Sequence, residues 1–176
     1  MTAVSNGEFR LWDPTTRRSV GETLQVNLAT RITFSPTGDS VALQLSNGIQ
    51  LVNARTGKPA GDLLVDELQP AFSHDGTLLA TLDDKDDASV RLWSTADGSQ
   101  VGVPLEDASS SISKATFSPY SQILASGSSR HDGVMRPWNV DLYRDPVRSL
   151  CNQAGPMSQD EWKKYAADEP YANASP

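Results

Sequence analysis

The chain has 176 residues, enough for one domain with a packed interior, and 38% of them are hydrophobic, with four tryptophans among few aromatics. Its formal charge of −7 sets the surface against nucleic-acid phosphates and anionic membranes, and no apolar run approaches the roughly 18 residues of a bilayer-spanning helix. The single cysteine, Cys151, leaves no internal disulfide framework, and MTAVSNGEFRLWD lacks the basic and apolar stretches of a secretory signal, so a soluble, cytoplasmic protein is expected.

Along the chain, three stretches superpose without a gap: FRLWDPTTRRSVGETL from Phe9, IQLVNARTGKPAGDLL from Ile49 and VRLWSTADGSQVGVPL from Val90. Each places Trp12, Val52 or Trp93 three residues on, crosses a polar turn to Gly21, Gly61 or Gly102, and closes on Leu24, Leu64 or Leu105. Trp138 continues the series, with spacings of 40, 41 and 45 residues between successive anchors. Before the last three anchors lie ITFSPTGDSVALQL, PAFSHDGTLLATL and ATFSPYSQILASG, which share Phe-Ser at Phe34, Phe72 and Phe117. Gly38-Asp39 and Asp75-Gly76 follow Phe-Ser and predict tight primed hairpins, since such turns need positive φ. SVALQL and TLLATL then read as buried strands.

One unit is therefore four short strands, and turn signals every 8–12 residues without helical periodicity predict an all-β chain. Four-stranded units of this length match the blades of a β-propeller, each a small antiparallel sheet with two apolar faces that only neighbouring blades can cover. The seven anchors Trp12, Phe34, Val52, Phe72, Trp93, Phe117 and Trp138 are expected to carry that packing. Blades are placed at 1–25 (partial), 26–66, 67–107 and 108–141, about three and a half in all, followed by a tail over 142–176. Closed propellers need four to eight blades, so the missing ones are expected from a longer chain or from self-association. The start at Met1 inside a strand favours the longer chain. Pro137 removes a ladder donor and belongs at a sheet edge.

In the tail, Asp145-Pro146 predicts a short helix ending near Gly155, and Ser158-Gln159-Asp160-Glu161 is a capping box opening a second helix to about Ala167. Trp162 and Tyr165 share a face of that helix; with Tyr171 they are expected to dock the tail onto the last blade.

The RLW runs at Arg10–Trp12 and Arg91–Trp93, RPW at Arg136–Trp138, the dipeptide Trp12-Asp13 and the FSP and FSHDG turns together resemble the WD-repeat family over about four-fifths of the chain. The Gly-His pair usual in that family is absent, Val52 replaces one tryptophan, and Ser94 and Asn139 follow Trp93 and Trp138 in place of aspartate. The family's Asp-His-Ser-Trp hydrogen-bond network is accordingly not expected, and blade cohesion is expected to rely more on packing than on that network. The tail, with Cys151, Glu161-Trp162, Tyr165 and Pro170-Tyr171, resembles the one that ends actinobacterial WD-repeat proteins, although their final cysteine falls near Ser175 here. The resemblance implies a protein- or peptide-binding scaffold or sensor of bacterial signal transduction, often following a STAND-type ATPase or Ser/Thr kinase domain. Nothing of those catalytic domains is present in this sequence.

No chemistry-bearing constellation stands out beside these marks. The run Asp83–Asp87 lacks the glycine and distal glutamate of a calcium loop and reads as a solvated hairpin. Gly127-Ser128-Ser129-Arg130 lacks the second glycine of a nucleophile elbow. His74 and His131 have no second ligand at zinc-like spacing, Arg17-Arg18 reads as a solvent-facing tip, and Cys151 as a buried thiol despite Arg148 one turn earlier. The expectation is a non-catalytic interaction module without cofactor or metal. The alternatives are a propeller hydrolase working at the axial channel and a truncated remnant without independent function. Trp93→Ala is expected to cost about 3–5 kcal/mol through the cavity it leaves between blades. An unchanged denaturant midpoint would place Trp93 on the surface instead.

Overall fold

Runs of branched and apolar residues, cut by polar turns every few positions, give short antiparallel strands and almost nothing else. A computed structural model describes residues 2–5, 7–26, 28–83, 85, 89–106, 112–128 and 135–144. The chain divides into two compact units, Met1–Trp138 and Asn139–Pro176. The first unit holds four sheets. Sheet I is β1 (Thr2–Ser5), β2 (Glu8–Trp12) and β3 (Ser19–Gln25). Sheet II is β4 (Ala29–Phe34), β5 (Ser40–Leu45), β6 (Gly48–Asn53) and β7 (Leu64–Val65). Sheet III is β8 (Glu67–Phe72), β9 (Leu78–Asp83), β10 (Ser89–Ser94) and β11 (Leu105–Glu106), and sheet IV is β12 (Ile112–Phe117), β13 (Ile123–Ser128) and β14 (Met135–Asn139). Strands pair in chain order, so among the described residues sheet I starts at the second position of the repeat and sheet IV ends at the third, as the anchor spacing predicts. Pro137 sits in β14, the edge strand of sheet IV among the described residues.

Residues directly opposite across a ladder share a face. Phe72, Leu79 and Trp93 are one such row across β8, β9 and β10, and Phe34, Val41 and Val52 are the matching row of sheet II. These rows face the preceding sheet. Phe9, Leu11 and Val26 meet Val41, Leu43, Leu45 and Val52 in one buried cluster. Ala42, Ile49, Leu51 and Leu64 meet Phe72 and Leu79 in the next, with Trp93 packed against it. Each of these leucines and valines contributes about 1.5–3 kcal/mol relative to exposure. The first strands of successive sheets, β4, β8 and β12, run side by side and are the inner strands.

The shared Phe-Ser has a local cause. Ser35 Oγ accepts from the Ser40 amide at 3.1 Å and Ser73 Oγ from the Leu78 amide at 2.9 Å, so the hydroxyl closes the hairpin. Gly38 (φ +76°) and Gly76 (φ +69°) take the left-handed position expected of them. The turn is nevertheless a four-residue loop, with Ser35 and Ser40 or Ser73 and Leu78 bonded across its neck, and not the tight primed turn expected. An amide–carbonyl bond from Gly38 to Ser35, repeated from Gly76 to Ser73, builds a turn inside each loop that two residues cannot hold.

The repeated glycine of the fourth strand serves the neighbour. Gly21 (φ +69°) lies against the Thr56 carbonyl, and Gly61 (φ +82°) against that of Asp97, so that a Cβ would stand 2.1 Å and 2.2 Å from those oxygens. The Glu22 amide donates to Thr56 O at 3.2 Å, fixing the outer strand of one sheet to the turn of the next. In the second unit, α1 (Asp141–Arg144) follows β14, with Asn139 Oδ1 accepting from the Asp141 amide at 3.1 Å. This one-turn helix begins ahead of the first helix expected from Asp145-Pro146, and the two tail helices lie outside the described residues.

Gly61→Ala is expected to cost about 2–4 kcal/mol in urea unfolding, combining a left-handed alanine with a clash against backbone. Gly38→Ala, where open space surrounds the Cβ, carries only the conformational part, about 1–2 kcal/mol. Equal losses in the two variants would mean the close approach contributes nothing.

Candidate interaction surface

A buried polar network lies in sheet III. Trp93 Nε1 donates to Thr81 Oγ1 at 2.7 Å, and Thr81 donates in turn to Glu67 Oε2. Arg91 bonds Glu67 Oε1 at 2.6 Å and Asp83 Oδ2 at 2.5 Å. The Glu67 side chain is 1% exposed and that of Arg91 29%. Burial pushes the Glu67 carboxyl above its ordinary 4.5, against the opposing pull of Thr81 and Arg91, while the bond to Glu67 holds the guanidinium still more firmly protonated. Cohesion in sheet III thus draws on a polar network of its own beside the packing, and Asp83 lies at the buried end of β9 and not in a solvated hairpin. The physical reason is register. Glu67, Thr81, Asp83 and Arg91 meet only once β8, β9 and β10 pair. The Trp-to-hydroxyl bond recurs in sheet IV as Trp138 Nε1 to Ser126 Oγ at 2.9 Å. A hydroxyl twelve residues before the tryptophan was the available signal in both cases.

The turns after the first and third strands of each sheet lie at one end of the sheets and form a continuous face. Asp13-Pro-Thr-Thr-Arg17, Asn53-Ala-Arg-Thr-Gly57 and Ser94-Thr-Ala-Asp-Gly98 share one geometry, with the fifth amide returning to the first carbonyl and a left-handed fifth residue. Asp13 Oδ1 accepts from the Thr15 amide at 2.7 Å and Asn53 Oδ1 from that of Arg55 at 3.0 Å, so either residue caps the turn. The turn amides hold Asp13 and Asp97 below the ordinary carboxylate range, Thr15 being the main cause for the first and Ser99 for the second. Asp75 accepts from Ser73 and Thr77, Asp39 pairs with Arg55 at 2.6 Å, and Glu22 pairs with Lys58 at 3.3 Å. The carboxylates of this face are thus occupied. Arg17 and Arg18 are exposed with no side-chain partner among the described residues. Arg17 even adopts φ +57° where the two matching turns use glycine. Further along, Tyr120 is 89% exposed and its ring lies 6.4 Å from that of His74 on the neighbouring hairpin.

The inner strands each carry a bulge, at the matching place in β4 and β12, between Ala29 and Arg31 and between Ile112 and Lys114, and further along in β8, between Leu68 and Ala71. Hydrogen bonds link the bulges across three sheets. Thr30 Oγ1 donates to Gln44 O, Gln44 Oε1 accepts from the Gln69 amide at 3.3 Å, and Gln69 Nε2 donates to Ser113 O at 3.1 Å. Gln69 is left-handed at φ +51°, a conformation that non-glycine residues take only at a cost.

Of the seven expected anchors, Val52, Phe72 and Phe117 are buried, and Trp93 and Trp138 are half-buried with their indoles bonded. Trp12 and Phe34 stand 36% and 45% exposed, because sheet I has neither a preceding sheet nor an inner strand among the described residues to cover them. Trp162, Tyr165 and Tyr171 lie outside the described residues. An open cleft of about 440 Å³ runs between sheets I and II, lined by Gln25, Val26, Leu45, Asn47, Gln50 and Leu63 with Gly7. Among the described residues no three His, Cys, Asp or Glu side chains gather as metal ligands, and no helix is long and apolar enough to cross a membrane.

No family model matches the chain, and no curated protein matches it either. Solved structures do. The β-propeller domain of Myceliophteria thermophila Cps50 (Swd1) superposes with a TM-score of 0.56 at 18% identity, over 76% of this chain and 45% of that one. Dihydro-heme d1 dehydrogenase NirN, in complex with DHE, superposes with a TM-score of 0.52 at 18% identity, over 77% of this chain and 34% of that one. The sheets are blades of a β-propeller, and the chain spans less than half the length of these structures.

Arg91→Met leaves Glu67 and Asp83 buried without their cation, at an expected cost of about 3 kcal/mol near neutral pH. Glu67, already raised, rises further in the variant. A carboxyl raised by folding stabilises below its unfolded pKa and loses that contribution as pH rises through the folded value. The gap between variant and parent therefore widens from pH 4.5 to pH 8. A gap that stays constant or narrows contradicts the assignment.

Proposed function

We propose that this chain is a non-catalytic interaction module of WD-repeat type, contributing blades to a larger propeller completed by a longer chain or by self-association. The anchor series, the RLW and FSP marks and the likeness to a propeller domain support that reading. The observation that carries it is the turn face. A rigid set of hairpins, each closed by its own serine or capped by its own aspartate or asparagine, presents Tyr120 almost wholly to solvent, with Arg17 and Arg18 further along. Tyrosine and arginine are the residue types that dominate protein-binding energetics, and loops on a stiff scaffold are where a propeller carries function. The titratable groups buried in sheet III are tied to one another, which supports a structural role for them over hydrolysis. A bacterial cytoplasmic scaffold or sensor in signal transduction is the setting that the resemblance of sequence and tail implies.

A photo-crosslinking residue at Tyr120 or Arg18 is expected to capture one defined polypeptide, identified by mass spectrometry and recaptured in purified form. The same residue at Thr23, exposed on the outer strand β3, captures none. Equal capture from all three positions, or none from any, removes the turn face from the proposal.

A further inference from the structure

The cleft between sheets I and II is a second feature, at the end of the sheets opposite the turn face. Its residues have counterparts at the next interface. The Val26 amide donates to Gly7 O at 2.8 Å as the Asp66 amide does to Asn47 O at 3.2 Å, so Val26 and Asp66 hold the same place in the repeat. Leu45 and Asp83 each end the second strand of their sheet, and Gln50 and Arg91 each stand two residues before the third-strand anchor. Asn47 and Lys85 lie in the connections that follow β5 and β9. Between sheets II and III these places are held by charge, since Lys85 pairs with Asp66 and Arg91 with Asp83. Between sheets I and II they carry Val26, Leu45, Asn47 and Gln50, which form no ion pair, and about 440 Å³ stays open.

That volume lies within the range of small-molecule sites, about 300–1,000 Å³. Its chemistry is specific. Val26 and Leu45 are buried and, with the half-buried Leu63, give an aliphatic floor. Gln25 commits its side-chain nitrogen to Glu8 Oε1 at 3.3 Å, and Gln50 commits its own to the Leu51 and Gly61 carbonyls at 3.1 and 3.3 Å. The side-chain carbonyl oxygen of each glutamine is left as an acceptor among the described residues. Asn47 is exposed, and its side-chain amide has no hydrogen bond among the described residues. No charged side chain belongs to the described lining. A charged ligand would lose hydration there without gaining a counter-ion, whereas a neutral donor exchanges water for a carbonyl oxygen.

We propose that the cleft between sheets I and II binds a small uncharged molecule, which lays an aliphatic group on Val26, Leu45 and Leu63 and donates hydroxyl or amide hydrogens to the side-chain carbonyls of Gln25, Asn47 and Gln50. The test is a titration of the full chain with methyl glucoside in one arm and N-acetylleucinamide in the other. It is followed by the backbone amide resonances of Gly7, Val26 and Asn47, with Ser99 of the turn face as the reference. A saturable shift is expected at the cleft with at least one probe, and none at Ser99. Methyl glucoside alone assigns a hydroxyl source, and N-acetylleucinamide alone an amide source. Asn47→Ala or Gln50→Met weakens the isotherm about fivefold, and the double variant abolishes it. Val26→Asp with Asn47→Lys copies the pair of the next interface and also abolishes binding. Asn47→Ala, at an exposed side chain, reads the site without disturbing the fold. The proposal is overturned if neither probe saturates, if Ser99 shifts in parallel with the cleft, or if the Asn47→Ala and Gln50→Met double variant binds like the parent.

Discussion

Burial between sheets is the constraint on which everything else in this molecule depends. A four-stranded sheet of three six-residue strands and a two-residue one has apolar side chains on both faces and too little chain to cover either. Sheet II is shielded only because Phe9 and Leu11 lie on one side of it and Phe72, Leu79 and Trp93 on the other. The repeated residues mark that mutual coverage. The large anchor fills the space against the preceding sheet, and the glycine lets the outer strand touch the following turn backbone to backbone. Where no neighbour is present among the described residues, the same positions show it. Trp12 and Phe34 are exposed at one end, and Ile123 and Met135 at the other.

The polar network of sheet III has a counterpart made wholly of other chemistry. At the positions of Glu67, Thr81, Asp83, Arg91 and Trp93, sheet II carries Ala29, Leu43, Leu45, Gln50 and Val52, with Leu43 and Val52 fully buried. Replacing a buried ion pair by well-packed hydrophobic residues is often neutral or stabilising, whereas removing one partner is costly. Sheet III keeps its charges paired, and sheet II carries no charge at these positions, its one polar side chain there, Gln50, donating to the Gly61 carbonyl.

The sheets were legible because their marks are local. Strand alternation, the Phe-Ser hairpins and the glycine-bearing fourth strand are all written within a dozen residues, and the incomplete first and last sheets followed from counting anchors. What escaped was long-range. Glu67 and Arg91 are 24 residues apart and meet through the register of two ladders, one of them interrupted by a bulge. The inner-strand bulges and the left-handed Gln69 likewise leave no compositional trace, since glutamine before proline reads as ordinary extended chain. Asp13 was legible as half of a dipeptide, but its task was not. Asn53 performs the same capping, so the aspartate matters as an acceptor of turn amides and not as a charge.

The backbone contact between each outer strand and the next turn also governs where this chain tolerates insertions and deletions. From anchor to glycine the count is the same in all three copies, Trp12 to Gly21, Val52 to Gly61 and Trp93 to Gly102, and so is the count from Ser35 to Ser40, Ser73 to Leu78 and Ser118 to Ile123. The second-to-third-strand connections differ, two residues between β5 and β6 and five between β9 and β10. One end of the molecule is clamped to fixed loop lengths and can diversify only by exchanging side chains. The opposite end is free to grow, and the unequal lengths of the repeats accumulate there.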